Sequence, residues 1–244
     1  MQNLGLAGYG PPGERILLER YALASRPSAI VWQIAEVNDL NDARDFAAWV
    51  AAGRPHIDRA RRPLSASQAW QRRSPTYRFF RALCARREWP LTGVFRDLSG
   101  VRREVRFFWV PSAEQCPLDH PGWPVIETAL REGADLTRAR GIRLIVLLVP
   151  MKLRVLGPHV EMSATMRATL GQHWDFAPEQ TLAHALATLC RDLRVEFVDA
   201  TPRLKAISSS GVLTYLPFDT HLSPEGHVVI AELLSELLGQ PARR

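Results

Sequence analysis

An α/β domain built on a mostly parallel sheet, with helices covering both faces, is the fold class this sequence predicts, and three observations predict it. The runs "SAIVWQIAEV", "IRLIVLLVP" and "VEFVDA" have the shortness and β-branched content of buried parallel strands. Segments with helical periodicity separate them, and turn or capping residues mark the junctions. Strand and helix therefore alternate, the order that yields a parallel sheet with crossovers on both sides. At 244 residues, 46% hydrophobic and 23% charged, the chain can bury a full core, and we read residues 1–244 as one domain carrying an insertion.

The elements follow in order. "NLGLAGYG" has an apolar beat at Leu4 and Leu6 and then closely spaced glycines, which reads as a strand over residues 2–6 and a glycine loop. A helix is expected over 14–25, and the strand "SAIVWQIAEV" follows it. The segment 41–121 differs from its flanks in Pro, Arg and Trp content and is read as an insertion or cap. Helical patches are expected there at 43–52 and 76–85, with a strand-like "VRFFWV" at 105–110. The pattern then resumes with a helix near 125–140 stopped by Gly141, a buried strand at 142–150, a helix near 178–193 and a strand at 195–200. The last helix, over 224–238, starts from Ser223 as N-cap with Pro224 in its first turn.

Composition narrows the classes. The net charge of +6 comes from 29 Arg and 2 Lys, and 14 of the Arg fall between positions 54 and 106 against four acids. Those arginines are interleaved with aromatic residues as on ordinary amphipathic helices, and no nucleic-acid-binding module is visible. Cys84, Cys116 and Cys190 are scattered, with no CxxC pair or metal spacing. No cofactor motif or metal-ligand spacing occurs. No apolar run approaches the roughly 18 residues of a membrane helix.

In parallel sheets the chemistry collects at the carboxyl ends of the strands. Three loops there are polar or glycine-rich: "GLAGYG", "EVNDL" and "LPFDTHLSPEGH". In the third, Asp219 and His221 are separated by one residue, so in an extended segment both side chains project to the same side. A carboxylate and an imidazole held in this way can form the orienting pair of a hydrolase.

With these loops in view, the sequence resembles the SGNH (GDSL-type) hydrolase superfamily, in particular the branch related to polysaccharide O-acetylation. "NLGLAGYG" is similar to the block whose glycine amide serves an oxyanion hole, which puts Gly8 in that role. "EVND" is similar to the block whose asparagine supplies the side-chain donor, here Asn38. "FDTHLSPEGH" is similar to the block of the acid and base, here Asp219 and His221. "LVPMKLRV" is similar to a strand-end PxK of relatives acting on polysaccharide acetyl groups, which makes Lys152 a candidate substrate contact. The resemblance implies a flavodoxin-like three-layer sandwich and serine acyl-enzyme chemistry on a small acyl ester or an acylated glycan.

Three departures accompany it. Glu36 stands where the family usually has a glycine, two residues before the asparagine. The acid–base block reads DxH in place of the commoner DxxH. No glycine-acid-serine sequence follows an apolar strand anywhere in the chain, so the block with the nucleophile, and the first strand that carries it, is missing. In the 2-1-3-4-5 order the resemblance implies, that strand is interior, and its loss would leave two rows of backbone groups unpaired at about 1–3 kcal/mol for each buried group. The expectation is therefore an amino-truncated version of a longer protein, with negligible esterase activity of its own. A degenerate member that closes the gap by shifting strands is the alternative account. A second functional reading is a non-catalytic protein on the same scaffold, contacting an anionic glycan through its Arg-rich insertion.

Overall fold

The computed structural model describes residues 2–6, 9–54, 91–107, 117–170 and 181–239. In chain order its strands are β1 (Ala29–Ala35), β2 (Thr92–Arg96), β3 (Arg102–Arg106), β4 (Arg143–Val149), β5 (Val160–Met162) and β6 (Glu196–Asp199). Its helices are α1 (Pro11–Leu17), α2 (Asp39–Ala51), α3 (Trp123–Arg138), α4 (Lys152–Leu156), α5 (Ala164–Leu170), α6 (Leu182–Leu193), α7 (Thr201–Ser209) and α8 (Pro224–Leu238). A π turn at Leu18–Ala22 and a 3-10 turn at Leu23–Ser25 prolong α1.

The parallel sheet has the order β1-β4-β6. Ala29 lies opposite Arg143 and Ala35 opposite Val149, while Ile145 to Leu148 face Glu196 to Asp199. Strand β4 is central because its run is apolar on both faces, the pattern of a strand covered twice. Leu144, Val146 and Leu148, with Trp32 and Ile34, pack under the turns that prolong α1 and under α3 and α6. Leu147 points the other way, toward residues of α4, α5, α7 and α8 together with Phe95, Val105, Phe107 and Tyr215. Helix, sheet and helix thus form three layers, as the fold class required. Gly133 makes one of these contacts possible: a Cβ there would stand 2.3 Å from the Trp32 ring.

A second, antiparallel sheet of order β3-β2-β5 lies over the α4 side. Its β2–β3 turn is organised by Asp97, which accepts from the Ser99 and Val101 amides and from the Ser99 hydroxyl. The Ser99 bond and the Arg103 guanidinium hold the Asp97 carboxyl down at about 2.

Several expectations need correction. Residues 2–6 form no strand. The Asn3 side chain takes the Gly5 amide at 2.9 Å, a local bond that competes with strand pairing. Consequently the expected interior gap with two facing unpaired rows does not arise: among the described residues β1 is an edge strand, with one open side and Val31 36% exposed. The strand read at 105–110 begins earlier and ends at Arg106, with 108–110 outside the described residues, and β2 went unread. Lys152 does not end a strand but opens α4. The helix at 76–85 and the residues 178–180 of another also lie outside the described residues. Helix α3 does stop where Gly141 predicted, with that glycine at φ +64°.

Candidate functional site

The carboxyl end of the parallel sheet is bordered by the turn after β1, the start of α4 and the loop leading into α8. That loop is held at both ends. Tyr215 and Leu222 form an antiparallel bridge, and the Leu216 amide donates to the His221 carbonyl at 3.0 Å. Beyond it, Ser223 caps α8 by accepting the Gly226 amide at 3.1 Å, while its own hydroxyl donates to the Leu213 carbonyl at 2.6 Å. Gly226 is required because a Cβ there would meet the Thr214 carbonyl oxygen at 2.1 Å.

Within the loop, Asp219 Oδ1 is hydrogen-bonded to His221 Nδ1 and also accepts the His221 amide at 3.1 Å. The bond to the His221 ring, and then that amide, hold the Asp219 carboxyl below the usual range. With Nδ1 engaged, Nε2 of an imidazole whose side chain is 80% exposed faces outward. The arrangement can take a proton from an incoming hydroxyl at Nε2 and stabilise the resulting imidazolium.

Across the sheet edge, Asn38 is the N-cap of α2 and donates its side-chain amide to Asp42 Oδ2 at 2.6 Å. Asp39 turns back onto the end of β1, accepting the Ala35 amide at 2.7 Å. Below it Glu14 of α1 accepts the Trp32 indole N–H at 2.7 Å. Burial pushes Asp39 up to about 8 and Glu14 up to about 7; the Asp42 charge adds to both shifts, and the Glu14 charge to that of Asp39. Gly8 lies outside the described residues.

Two residues that no motif singled out as site-building join these loops. Glu36, buried, accepts the Arg154 Nε–H and, through Oε2, the Met151 amide at 2.9 Å. Its own amide donates to the Val149 carbonyl at 3.0 Å, so the ladder continues one residue past β1 and the position needs no glycine. Tyr215 completes the junction by donating its hydroxyl to the Pro150 carbonyl. Burial raises the Tyr215 phenol, and the Glu36 charge raises it further.

Lys152 is 4% exposed. Its ammonium donates to the carbonyls of Arg106, Leu216, Pro217 and Asp219 at 2.6–3.0 Å. Burial pulls it down to about 7, against the attraction of Asp219. Asn38, Lys152, Asp219 and His221 therefore all stand at the carboxyl edge of the sheet, joined through Glu36, Met151 and the carbonyls of the Asp219 loop.

Other candidates have structural partners. His120 accepts the Gly122 amide at 3.0 Å ahead of α3, and burial lowers its pKa. Among the described residues no group of His, Cys, Asp and Glu has metal-binding geometry, and no helix is long and apolar enough to cross a membrane. A cleft of about 550 Å³ lies between the β2–β3 turn and the 211–217 segment, with Leu98, Arg103, Leu216 and Glu225 on its walls. It adjoins the Asp219 loop through Leu216 and Pro217, and neither Asp219 nor His221 lines it.

Residues 118–242, just over half of the chain, match the family described as SGNH hydrolase-like domain, acetyltransferase AlgX. Among the curated proteins and the solved structures, nothing matches.

Proposed function

This chain belongs to the SGNH hydrolase-like, AlgX-type acetyltransferase family, and from that premise we propose that it carries the acid–base half of a serine O-acyltransferase or esterase acting on an acylated glycan or a small acyl ester. The observation that supports this most directly is the Asp219–His221 hydrogen bond on an exposed loop at the carboxyl edge of the sheet.

In this reading a serine hydroxyl attacks the ester carbonyl while His221 Nε2 takes its proton. The C–O bond to the leaving alcohol then breaks, and the imidazolium returns the proton to that alcohol. A sugar hydroxyl or water, deprotonated in turn by His221, releases the acyl group. Asp219 keeps the imidazole in the tautomer with Nε2 unprotonated and stabilises its charged form. The Asn38 amide and the Gly8 N–H donate to the tetrahedral oxyanion. The serine is the part that no glycine-acid-serine block in the chain supplies. The open edge of β1 is where a parallel strand bearing it fits, because unpaired edge groups of a buried sheet otherwise lack partners.

The reading is tested by comparing p-nitrophenyl acetate turnover by residues 1–244 with turnover by the polypeptide extended through the reading frame upstream of Met1. We expect none from the former, and from the latter an activity abolished by His221→Ala. Turnover by residues 1–244 that His221→Ala removes overturns the assignment of the nucleophile. An extended protein indifferent to His221→Ala overturns the assignment of the base.

The anionic-glycan reading draws no support from the arginines of β2 and β3. Arg96 and Arg102 pair with Glu161, Arg103 with Asp97 and Arg106 with Glu104.

A further inference from the structure

Lys152 carries a buried positive charge that, among the described residues, meets no carboxylate. Its ammonium stands instead among four backbone carbonyls, at 2.7 Å from Arg106, 2.6 Å from Leu216, 2.7 Å from Pro217 and 3.0 Å from Asp219. The face of the Phe107 ring lies 5.5 Å away. Three of these acceptors belong to the loop that carries Asp219 and His221, and the fourth is the last residue of β3. Backbone bonds link these residues in pairs, but among the described residues the Lys152 ammonium is the group that reaches all four carbonyls, across 46 to 67 residues of sequence.

An ammonium has three N–H donors, so four carbonyls must share them and no proton remains for a substrate. Carbonyl dipoles converging on one point repel one another unless a cation sits there, as in pores that bind ions through rings of carbonyls. The Pro217 carbonyl also accepts the Arg106 amide at 2.8 Å and the Leu216 carbonyl the Asp219 amide at 3.4 Å, so a neutral side chain of the same length would take from each carbonyl the charged donor that offsets their mutual repulsion, and from the Asp219 carbonyl the donor it has in Lys152. They would then turn outward toward water, and the peptide planes that aim the Asp219 side chain would turn with them.

We propose that Lys152 is a positioning residue: its ammonium gathers the carbonyls of residues 216, 217 and 219 and thereby sets the loop geometry in which Asp219 holds the His221 ring. This role rests on the reading of Asp219 and His221 as acid and base, but it can be measured without turnover.

The test uses the full chain at about pH 6, below the value of about 7 to which burial brings the Lys152 ammonium, and follows two signals by NMR. One is hydrogen exchange at the amides of Leu216, Asp219 and His221, which bond within the loop. The other is the low-field resonance of the His221 Nδ1 proton shared with Asp219. Lys152→Met should speed exchange at those amides by about tenfold or more, as local opening does. It should also abolish the Nδ1 resonance while β4 amides stay protected. Lys152→Ala should behave alike, and n-propylammonium, which replaces the missing atoms, should restore both signals, whereas tetramethylammonium, lacking N–H donors, should not. Should both variants lose the fold altogether, restoration by propylammonium alone supports the proposal and its failure overturns it.

Loop amides and a Nδ1 resonance unchanged in Lys152→Met overturn the positioning role, as does equal rescue by tetramethylammonium. If the loop responds as described while His221→Ala leaves the extended protein's turnover intact, the positioning role stands and the acid–base reading falls.

Discussion

The carboxylate of Glu36 and the guanidinium of Arg154 form a buried, two-point ion pair, Nε lying 2.8 Å and 2.9 Å from the two carboxylate oxygens. It joins the turn after β1 to the helix after β4. The side chains are 5% and 15% exposed, so each charge depends on the other for what water would otherwise provide. Removing one partner strands the other in the interior. Arg154→Met is therefore expected to destabilise the fold by roughly 3–5 kcal/mol, whereas the double variant Glu36→Gln, Arg154→Met should recover most of that loss. Urea unfolding of the four proteins in the cycle checks this, and a cycle in which the two losses simply add contradicts a coupled pair.

Glu14 and Asp39 make stability fall as pH rises. A carboxyl that binds its proton more tightly in the fold than in the unfolded chain contributes stability that is fully present below the unfolded pKa and is lost as pH climbs through the folded one. Here Glu14 moves from 4.5 to about 7 and Asp39 from 3.8 to about 8, so the window runs across pH 4 to 8. Glu14→Gln keeps an acceptor for the Trp32 indole without the titration. It should be more stable than the parent at pH 8, by on the order of 2 kcal/mol, and nearly equal at pH 4. Urea midpoints at the two pH values decide it, and parallel pH curves for the two proteins would rule the coupling out.

What the sequence made legible follows from how local each signal was. The central strand could be read because all but its first residue are apolar and helical patterns flank it. The Asp219–His221 contact could be read because i, i+2 spacing brings two side chains to one side. Lys152 was visible as a residue but not as a hub, since its partners are main-chain carbonyls that leave no trace in residue identity. Glu36 and Arg154 are 118 positions apart, and neither belongs to a pattern that names the other. Residues 2–6 misled for the opposite reason: Leu4 and Leu6 alternate like a strand, but Asn3 satisfies the Gly5 amide locally. Strand β2, "TGVFR", is too short and too polar at its ends to be distinguished from loop.

The Asn38 amide has two protons, and Asp42 takes one of them at 2.6 Å. That bond fixes the plane of the amide and leaves the other proton for the oxyanion role proposed for Asn38. In the serine-bearing protein proposed above, Asn38→Ala should lower kcat by about 10²–10³-fold, or ~2.7–4 kcal/mol, with little change in KM. Asp42→Ala, which keeps the Asn38 amide but frees it to rotate, should cost less in kcat than Asn38→Ala, and the double variant should be no worse than Asn38→Ala. Steady-state kinetics on one acyl ester measures all three. A double variant whose losses multiply would show that Asp42 acts independently of Asn38.

The start of α8 sets where the loop carrying His221 must end, and two residues fix it by different means. Ser223 bonds the Gly226 amide and the Leu213 carbonyl at once, and Gly226 lets the helix approach Thr214 so closely that a methyl group would lie 2.1 Å from its carbonyl oxygen. Ser223→Ala loses a cap worth ~1 kcal/mol and a second hydrogen bond of similar size. Gly226→Ala forces the helix away from Thr214 and should cost ~1–3 kcal/mol of overpacking, despite the better helix propensity of alanine. Because the Ser223 amide also donates to the Thr214 carbonyl at 3.0 Å, displacing that carbonyl weakens the cap. Losses from the two substitutions should accordingly be less than additive. Thermal and urea unfolding of both single variants and the double provide the comparison, and a Gly226→Ala protein as stable as the parent would contradict the close approach on which the loop's anchoring depends.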